Sequence, residues 1–144
     1  RYWRDWSSDV CSSDLQWVDK ARLLAEADHV MLVLPYTPEN HHYIGAAELA
    51  LMKPTAALIN IARGGIVDDE ALAQALQAGQ IAAAGLDVFE HEPKVHPGLL
   101  ACRNVVLTPH IGSASKAARL AMANLAIDNC LAILAGKKPL TPVT

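Results

Sequence analysis

The chain has 144 residues, enough for one domain with a single core. Hydrophobic residues make up 52% of the sequence and charged residues 19%, a composition that excludes an intrinsically disordered chain. The net charge is −3, so we expect no basic surface for nucleic acid or anionic lipid. We also expect no membrane span, because the apolar run at 120–127 is short and Asp128 follows it. Small-molecule chemistry is therefore the favoured class of function.

Residues 1–15 differ in composition from the rest of the chain. The tripeptide Ser-Ser-Asp occurs twice there, and residues 5–15, DWSSDVCSSDL, resemble the translation of a sequencing adaptor. We predict that this segment is not part of the natural protein and that the domain spans 16–144. The alternative is a natural polar lead-in, in which Ser13 or Asp14 caps the first helix.

The cysteines indicate the compartment. Cys11, Cys102 and Cys130 are an odd number at wide spacing without a Cys-x-x-Cys pair, which favours a reduced, cytoplasmic protein. No basic segment followed by an apolar one is present at the start, so we expect no secretory signal.

Helical spacing and apolar runs alternate along the chain after residue 15. Glycine at position 79 suits the residue just after a helix end, and acidic residues at 68–70 suit a helix start. The predicted helices span 16–27, 46–52, 68–79 and 113–136, and the predicted strands span 29–34, 56–61, 82–88 and 105–108.

The predicted strands indicate the fold class. The runs at 82–88 and 105–108 are uniformly apolar, whereas a half-exposed antiparallel strand would alternate. Strand, loop and helix units repeat in this order along the chain. The sequence therefore predicts an α/β fold with a parallel sheet and a long C-terminal helix.

Polar residues follow three of the predicted strands, at the sheet edge where α/β proteins bind ligands. Arg63 follows the second strand. Asp87 ends the third, with Glu90 and Glu92 after it, and His110 follows the fourth. An arginine, carboxylates and a histidine at one edge predict an acid/base and anion-binding site.

Each residue type has a use in such a site. The Arg63 guanidinium suits a carboxylate ligand, and the glycines beside it would let a ligand approach the backbone. His110 can donate a proton near neutral pH, and a carboxylate on its other ring nitrogen would fix the tautomer and favour the protonated ring. Together these groups could reduce a 2-oxo acid: Arg63 holds the substrate while His110 protonates the carbonyl oxygen.

Structural roles are the alternative for each residue taken alone. Arg63 could lie on the surface of a tight turn, Asp87 could cap a turn, and His110 could neighbour a helix cap. His41 and His42 are adjacent and expected to diverge in an extended loop, so we predict no metal site.

Three linked motifs carry a family resemblance: NIARGGIVDDEAL, AAGLDVFEHEP with HPGLL, and NVVLTPHIGSAS. Residues 16–144 resemble the NAD-binding domain of the D-isomer-specific 2-hydroxyacid dehydrogenases, nearest the glyoxylate/hydroxypyruvate (2-ketogluconate) reductase branch. The resemblance implies a partial Rossmann-like sheet, NAD or NADP as cofactor, and a small 2-oxo or 2-hydroxy acid as substrate. It implies that Arg63 binds substrate, that His110 is the general acid/base, and that Glu92 is its partner. Implied cofactor contacts are Leu34, Pro35, Ile61, Ala62, Arg63, Asp87, His110, Gly112 and Ser113.

The sequence also departs from the family pattern. It lacks the Gly-x-Gly-x-x-Gly turn and the residue after it that separates NAD from NADP. We therefore expect a fragment that is inactive alone, from a full-length homodimer. Glu92 stands where the family's formate dehydrogenases carry glutamine, which argues against formate. The alternative function is a non-catalytic, dinucleotide-sensing relative similar to the family's corepressors.

Overall fold

A computed structural model describes residues 16–142 and contains one four-stranded parallel sheet. The strands lie side by side in chain order, the commoner arrangement for consecutive strands. Their bounds are β1 His29–Leu32, β2 Ala57–Asn60, β3 Ala83–Leu86 and β4 Val105–Leu107. All four lie within the predicted runs, and the parallel α/β fold is confirmed.

The two faces of the sheet are buried to different extents. Val30 in β1, Leu58 in β2 and Ala84 in β3 occupy one register row and are all buried. On the opposite face, Met31 is 58% exposed and Val106 is 68% exposed. The core therefore lies on one side of the sheet, although the strands are apolar on both.

Five α-helices accompany the sheet: α1 Lys20–Glu26, α2 Ala46–Leu49, α3 Asp69–Gln77, α4 Pro97–Leu100 and α5 Lys116–Leu134. A short 3₁₀ helix over Pro38–Asn40 lies in the loop after β1. The sequence analysis missed both α4 and the 3₁₀ helix, because elements of three or four residues carry too little periodicity to detect.

The helix ends follow capping chemistry. The Asp19 side chain accepts the Arg22 N–H, so α1 begins at Lys20, four residues later than predicted. Asp68 caps α3 in the same way, and Gly79 has a φ of 66° just beyond that helix, as predicted. The predictions for residues 1–15, including capping by Ser13 or Asp14, lie outside the described residues.

The long helix α5 differs from the others in burial. It is apolar, yet none of its 19 residues is buried, and Leu125 and Leu131 are 44% and 58% exposed. By length and composition alone, Lys116–Leu134 could cross a membrane, which corrects the prediction that no segment fits a span. The helix keeps a mean hydropathy of 1.4 over its apolar stretch even though Arg119 and Asp128 both lie within it.

Candidate active site

His110 and Glu92 form a direct pair at the carboxyl end of the sheet. The Nδ1 atom of His110 lies 2.9 Å from Oε2 of Glu92. Both side chains are partly exposed, at 48% and 36%. This contact agrees with the predicted pairing of a histidine after β4 with an acid after β3, and it leaves Nε2 of the ring free of Glu92.

Glu92 is itself held by the backbone. Its Oε1 accepts the Phe89 N–H at 3.0 Å, while Oε2 faces His110. Burial of the carboxyl group disfavours its charged form, but the hydrogen bonds from His110 and Phe89 outweigh burial and lower the pKa of Glu92. The group is therefore a carboxylate at neutral pH, able to orient the His110 ring.

Asp87 fixes the backbone around His110. One carboxylate oxygen accepts the Thr108 hydroxyl at 2.6 Å and the Ile111 N–H at 2.8 Å, and the other accepts the Gly112 N–H at 2.9 Å. These hydrogen bonds lower the pKa of Asp87, and the one from Thr108 has the largest effect. His110 takes a φ of 53° in the turn between these residues, a left-handed conformation that is uncommon outside glycine.

Arg63 lies after β2, in a turn that Asn60 organises. The buried Asn60 side chain accepts the Ala62 N–H at 3.1 Å and donates to the Arg63 carbonyl oxygen at 3.1 Å. The exposed Arg63 guanidinium donates to the Ala62 carbonyl oxygen at 2.7 Å. The backbone of Arg63 is thus fixed, and its side chain is available to a ligand.

Two cavities of the described part of the chain carry the three predicted catalytic residues. Arg63 lines an open cavity of about 680 Å³, and Glu92 and His110 line a second one of about 160 Å³. Asp87 is in neither of these two lining sets and anchors the His110 turn. The structure thus pairs His110 with Glu92. The Arg63 turn adjoins this pair, because Gly64 lies against the Phe89 backbone, whose N–H Glu92 accepts.

Several predicted cofactor residues lie together around Arg63. The cavity of about 680 Å³ is lined by Val33, Leu34, Pro35, Tyr36, Ile61, Ala62 and Arg63. Asp87 donates its N–H to the Asn60 carbonyl oxygen and accepts the Gly112 N–H, and Ser113 follows Gly112 before α5. A carboxylate offers about four acceptor sites, and Asp87 uses three, so one remains on Oδ2 for a ligand N–H.

The glycines beside Arg63 have a different role from the one predicted. A Cβ on Gly64 would lie 1.8 Å from the Phe89 carbonyl oxygen, so the backbone of Phe89 fills the space expected for a ligand. Gly65 has a φ of 77°, which also favours glycine. Close contact between two loops, rather than access for a ligand, explains Gly64.

Two positioning residues escaped the sequence analysis. Asn60 ends a buried strand, and Thr108 lies two residues before His110, so both sit where polar side chains can meet loop backbone. For Asn60, the available signal in the sequence was an asparagine at the end of an apolar run. Thr108 offered no signal, since its partner Asp87 is distant in sequence.

The expectation that His41 and His42 diverge is wrong. Their rings stack at a centroid distance of 3.9 Å with an interplanar angle of 23°. His42 has a φ of 51°, and this left-handed conformation brings the adjacent side chains to the same side of the chain. Both rings lie near Glu90.

Comparison with known proteins identifies the family. Residues 2–112 match the family described as "D-isomer specific 2-hydroxyacid dehydrogenase, NAD binding domain". The chain belongs to this family. The resemblance of its motifs is confirmed, and the sheet is the Rossmann-like parallel sheet of that NAD-binding domain. The match begins inside residues 1–15, whose origin stays a prediction.

Named relatives are reductases. The chain is 54% identical over 121 residues to a glyoxylate reductase of Thermococcus gammatolerans, covering 84% of this chain and 36% of that protein. It is 52% identical over 123 residues to glyoxylate/hydroxypyruvate reductase B of Shigella boydii, covering 85% and 38%. The crystal structure of an NADPH-dependent glyoxylate/hydroxypyruvate reductase of Sinorhizobium meliloti, with NADP and malonate, matches with a TM-score of 0.79 at 42% identity, covering 87% and 39%. The chain thus spans well under half the length of these relatives.

Proposed function

We propose that the complete protein interconverts a small 2-oxo acid, such as glyoxylate or hydroxypyruvate, and the corresponding D-2-hydroxy acid with NAD or NADP. The observation that carries the proposal is the 2.9 Å contact between Nδ1 of His110 and Oε2 of Glu92 at the carboxyl end of the sheet. A histidine held by a carboxylate through one ring nitrogen can donate and accept a proton through the other.

His110 is the proton donor in this proposal. Glu92 keeps a proton on Nδ1, so the protonated ring directs its second proton, on Nε2, at the substrate carbonyl oxygen. In reduction, that oxygen takes the Nε2 proton while the carbonyl carbon becomes the alcohol carbon. In oxidation, the neutral ring removes the hydroxyl proton, and Glu92 stabilises the resulting positive charge.

Arg63 binds the substrate carboxylate. Its guanidinium offers two parallel N–H donors to a carboxylate, a geometry that a single ammonium group does not provide. Its one hydrogen bond here, to the Ala62 carbonyl oxygen, involves Nη1 and leaves other donors available. The substrate would then lie between Arg63 and His110, and its two ends would join the two parts of the site.

The nicotinamide cofactor, when bound, supplies the hydride that reduces the carbonyl carbon. The residues present fit such a ligand. Leu34, Pro35, Ile61 and Ala62 line the open cavity beside Arg63, and Asp87 has a spare acceptor site for a carboxamide N–H. In the proposal, Gly112 and Ser113 contact the cofactor from the start of the segment leading to α5.

The same reasoning extends to partners and location. Relatives with reductase names favour catalysis over the corepressor alternative. We propose a cytoplasmic homodimer without nucleic-acid or membrane partners, in which protein surface covers the exposed apolar side chains of α5. The net charge of −3 supports the absence of a nucleic-acid partner. Family membership supports a protein surface, rather than a membrane, as the cover of α5. Sedimentation of the complete protein tests the dimer.

A direct assay tests the activity. The complete protein is mixed with glyoxylate or hydroxypyruvate and either NADH or NADPH, and the loss of reduced-nicotinamide absorbance is followed. We expect turnover with at least one pair, and formation of the 2-hydroxy acid confirmed by chiral chromatography. Cofactor binding without turnover on any 2-oxo acid would instead favour the sensing role.

A further inference from the structure

His41, His42 and Glu90 form a compact cluster that the proposed reaction does not use. One potential ligand atom from each residue lies within 4.8 Å of the other two. The Nε2 atoms of His41 and His42 lie 3.8 Å and 2.9 Å from the same oxygen, Oε1 of Glu90. From this geometry we propose that the cluster is a binding site for a divalent transition-metal ion of the Zn²⁺ type.

The spacing suits tetrahedral coordination. Bonds of about 2.0–2.1 Å from Zn²⁺ to nitrogen and oxygen place the ligand atoms of a tetrahedral site about 3.3 Å apart. The two distances to Glu90 Oε1 lie on either side of this value, each within about half an ångström of it. Binding an ion would require the rings to rotate out of their stack, and it would leave the fourth position for water.

The outer nitrogen of each ring faces an oxygen atom, within hydrogen-bond distance for His41 and slightly beyond it for His42. The His41 Nδ1 atom lies 3.3 Å from the Tyr36 hydroxyl, and the His42 Nδ1 atom lies 3.7 Å from Oδ2 of Asp68. Asp68 is fixed in turn, because its other oxygen accepts the Ala71 N–H at the start of α3. Metal-binding histidines characteristically use one nitrogen for the ion and the other for such an oxygen partner.

The surroundings favour a cation. His42 and Glu90 also line a cavity of about 600 Å³, whose lining includes three further carboxylates, Asp68, Asp69 and Glu70, against one lysine, Lys94. The excess of negative charge would concentrate cations there. Side-chain exposure of 45% for His41 and 36% for His42 gives an ion access from solvent.

Zn²⁺ titration of the 144-residue chain by calorimetry, with Co²⁺ as a visible-absorption probe, tests the site. The exposed Cys130 is first replaced by serine to remove a competing thiol. We expect one ion per chain and Co²⁺ absorption of low coordination number without a thiolate charge-transfer band. His41→Ala, Glu90→Gln and His42→Asn should each weaken binding at least tenfold; asparagine is chosen at position 42 because it tolerates a positive φ.

The matched control is His29→Ala, an exposed histidine on β1 outside the cluster, which should bind as tightly as the parent. Circular dichroism of each variant separates loss of the ligand from loss of the fold. Two results would overturn the proposal: no saturable binding of Zn²⁺ or Co²⁺ by the folded chain, or binding that all three cluster variants retain.

Discussion

The two turns that carry the candidate catalytic residues are built differently. In the His110 turn, residues 108–112, Asp87 holds backbone and side-chain donors, and Glu92 holds the imidazole itself. In the Arg63 turn, residues 60–65, Asn60 holds the backbone, but the guanidinium contacts only the neighbouring Ala62 carbonyl oxygen among the described residues. In the proposed reaction, the proton donor would therefore be fixed before the substrate binds, whereas the Arg63 side chain would be ordered by its ligand.

The largest loss of activity should come from replacing His110, the side chain that Glu92 holds in place. We expect His110→Asn in the complete enzyme to lower kcat by about 10²–10⁴, the usual contribution of a general acid. Asparagine accepts the left-handed backbone of this position, so the turn should persist. Steady-state kinetics with glyoxylate measure the loss, with His29→Asn as the control; a variant that keeps parental kcat would contradict the proton-donor role.

Substrate binding by Arg63 should depend on the paired N–H donors of its guanidinium as well as on its charge. Arg63→Lys retains the positive charge but loses the paired donors, and a charged hydrogen bond is worth about 1.5–3 kcal/mol. We expect kcat/KM for a 2-oxo acid to fall about 10–100-fold. The exposed Arg103→Lys serves as the control, and equal kinetics for both variants would remove Arg63 from the substrate site.

The Glu92→Gln variant tests the His110 turn through the pH dependence of the reaction. Without the carboxylate, the protonated His110 ring loses the charge-assisted hydrogen bond that Glu92 accepts. Reduction needs the protonated ring, so activity should fall on the alkaline side, by about tenfold for one charge-assisted hydrogen bond of roughly 1.5 kcal/mol. A kcat/KM profile against pH measures this, with Glu70→Gln as the control. An unchanged alkaline limb would mean that the pair has no part in proton transfer.

The smallest effect concerns the anchor of the His110 turn. The pKa of Asp87 is lowered in the folded chain, so its ionised form stabilises the fold above the ordinary aspartate value of about 3.9. That contribution disappears as the pH falls through the lowered value. Asp87→Asn should be less stable at neutral pH and should lack this acid-side decline.

Urea unfolding across the acid range compares the parent, Asp87→Asn and the exposed control Asp128→Asn. Parallel curves for the parent and Asp87→Asn would show that Asp87 makes no electrostatic contribution to the turn. The expected result is a steeper decline in the parent and in Asp128→Asn than in Asp87→Asn, because Glu92 and Glu48, whose pKa values are also lowered, contribute to the decline in all three proteins.

Local chemistry made most of the fold predictable. The strands lie within their apolar runs, and Gly79 stands just past its helix, because burial and capping act over a few neighbouring residues. The pairing of Glu92 with His110 was also foreseeable, since parallel strands deliver their following residues to one edge.

Features that depend on distant contacts or unusual backbone were not predictable. His41 and His42 stack because His42 adopts a positive φ, a conformation that its residue type does not announce. The turns at Arg63 and His110 follow hydrogen bonds made by Asn60 and Asp87, which the strand order alone does not determine. The exposure of α5 likewise depends on packing rather than on its apolar sequence.

The contact at Gly64 has a consequence for recombining relatives of this enzyme family. Since the Phe89 backbone occupies the space of a Gly64 side chain, the loops after β2 and β3 are shaped to each other. A chimera that takes only one of these loops from another member would join surfaces that evolved with different partners. Loop exchange aimed at new substrates should therefore move residues 60–65 and 87–92 as one cassette.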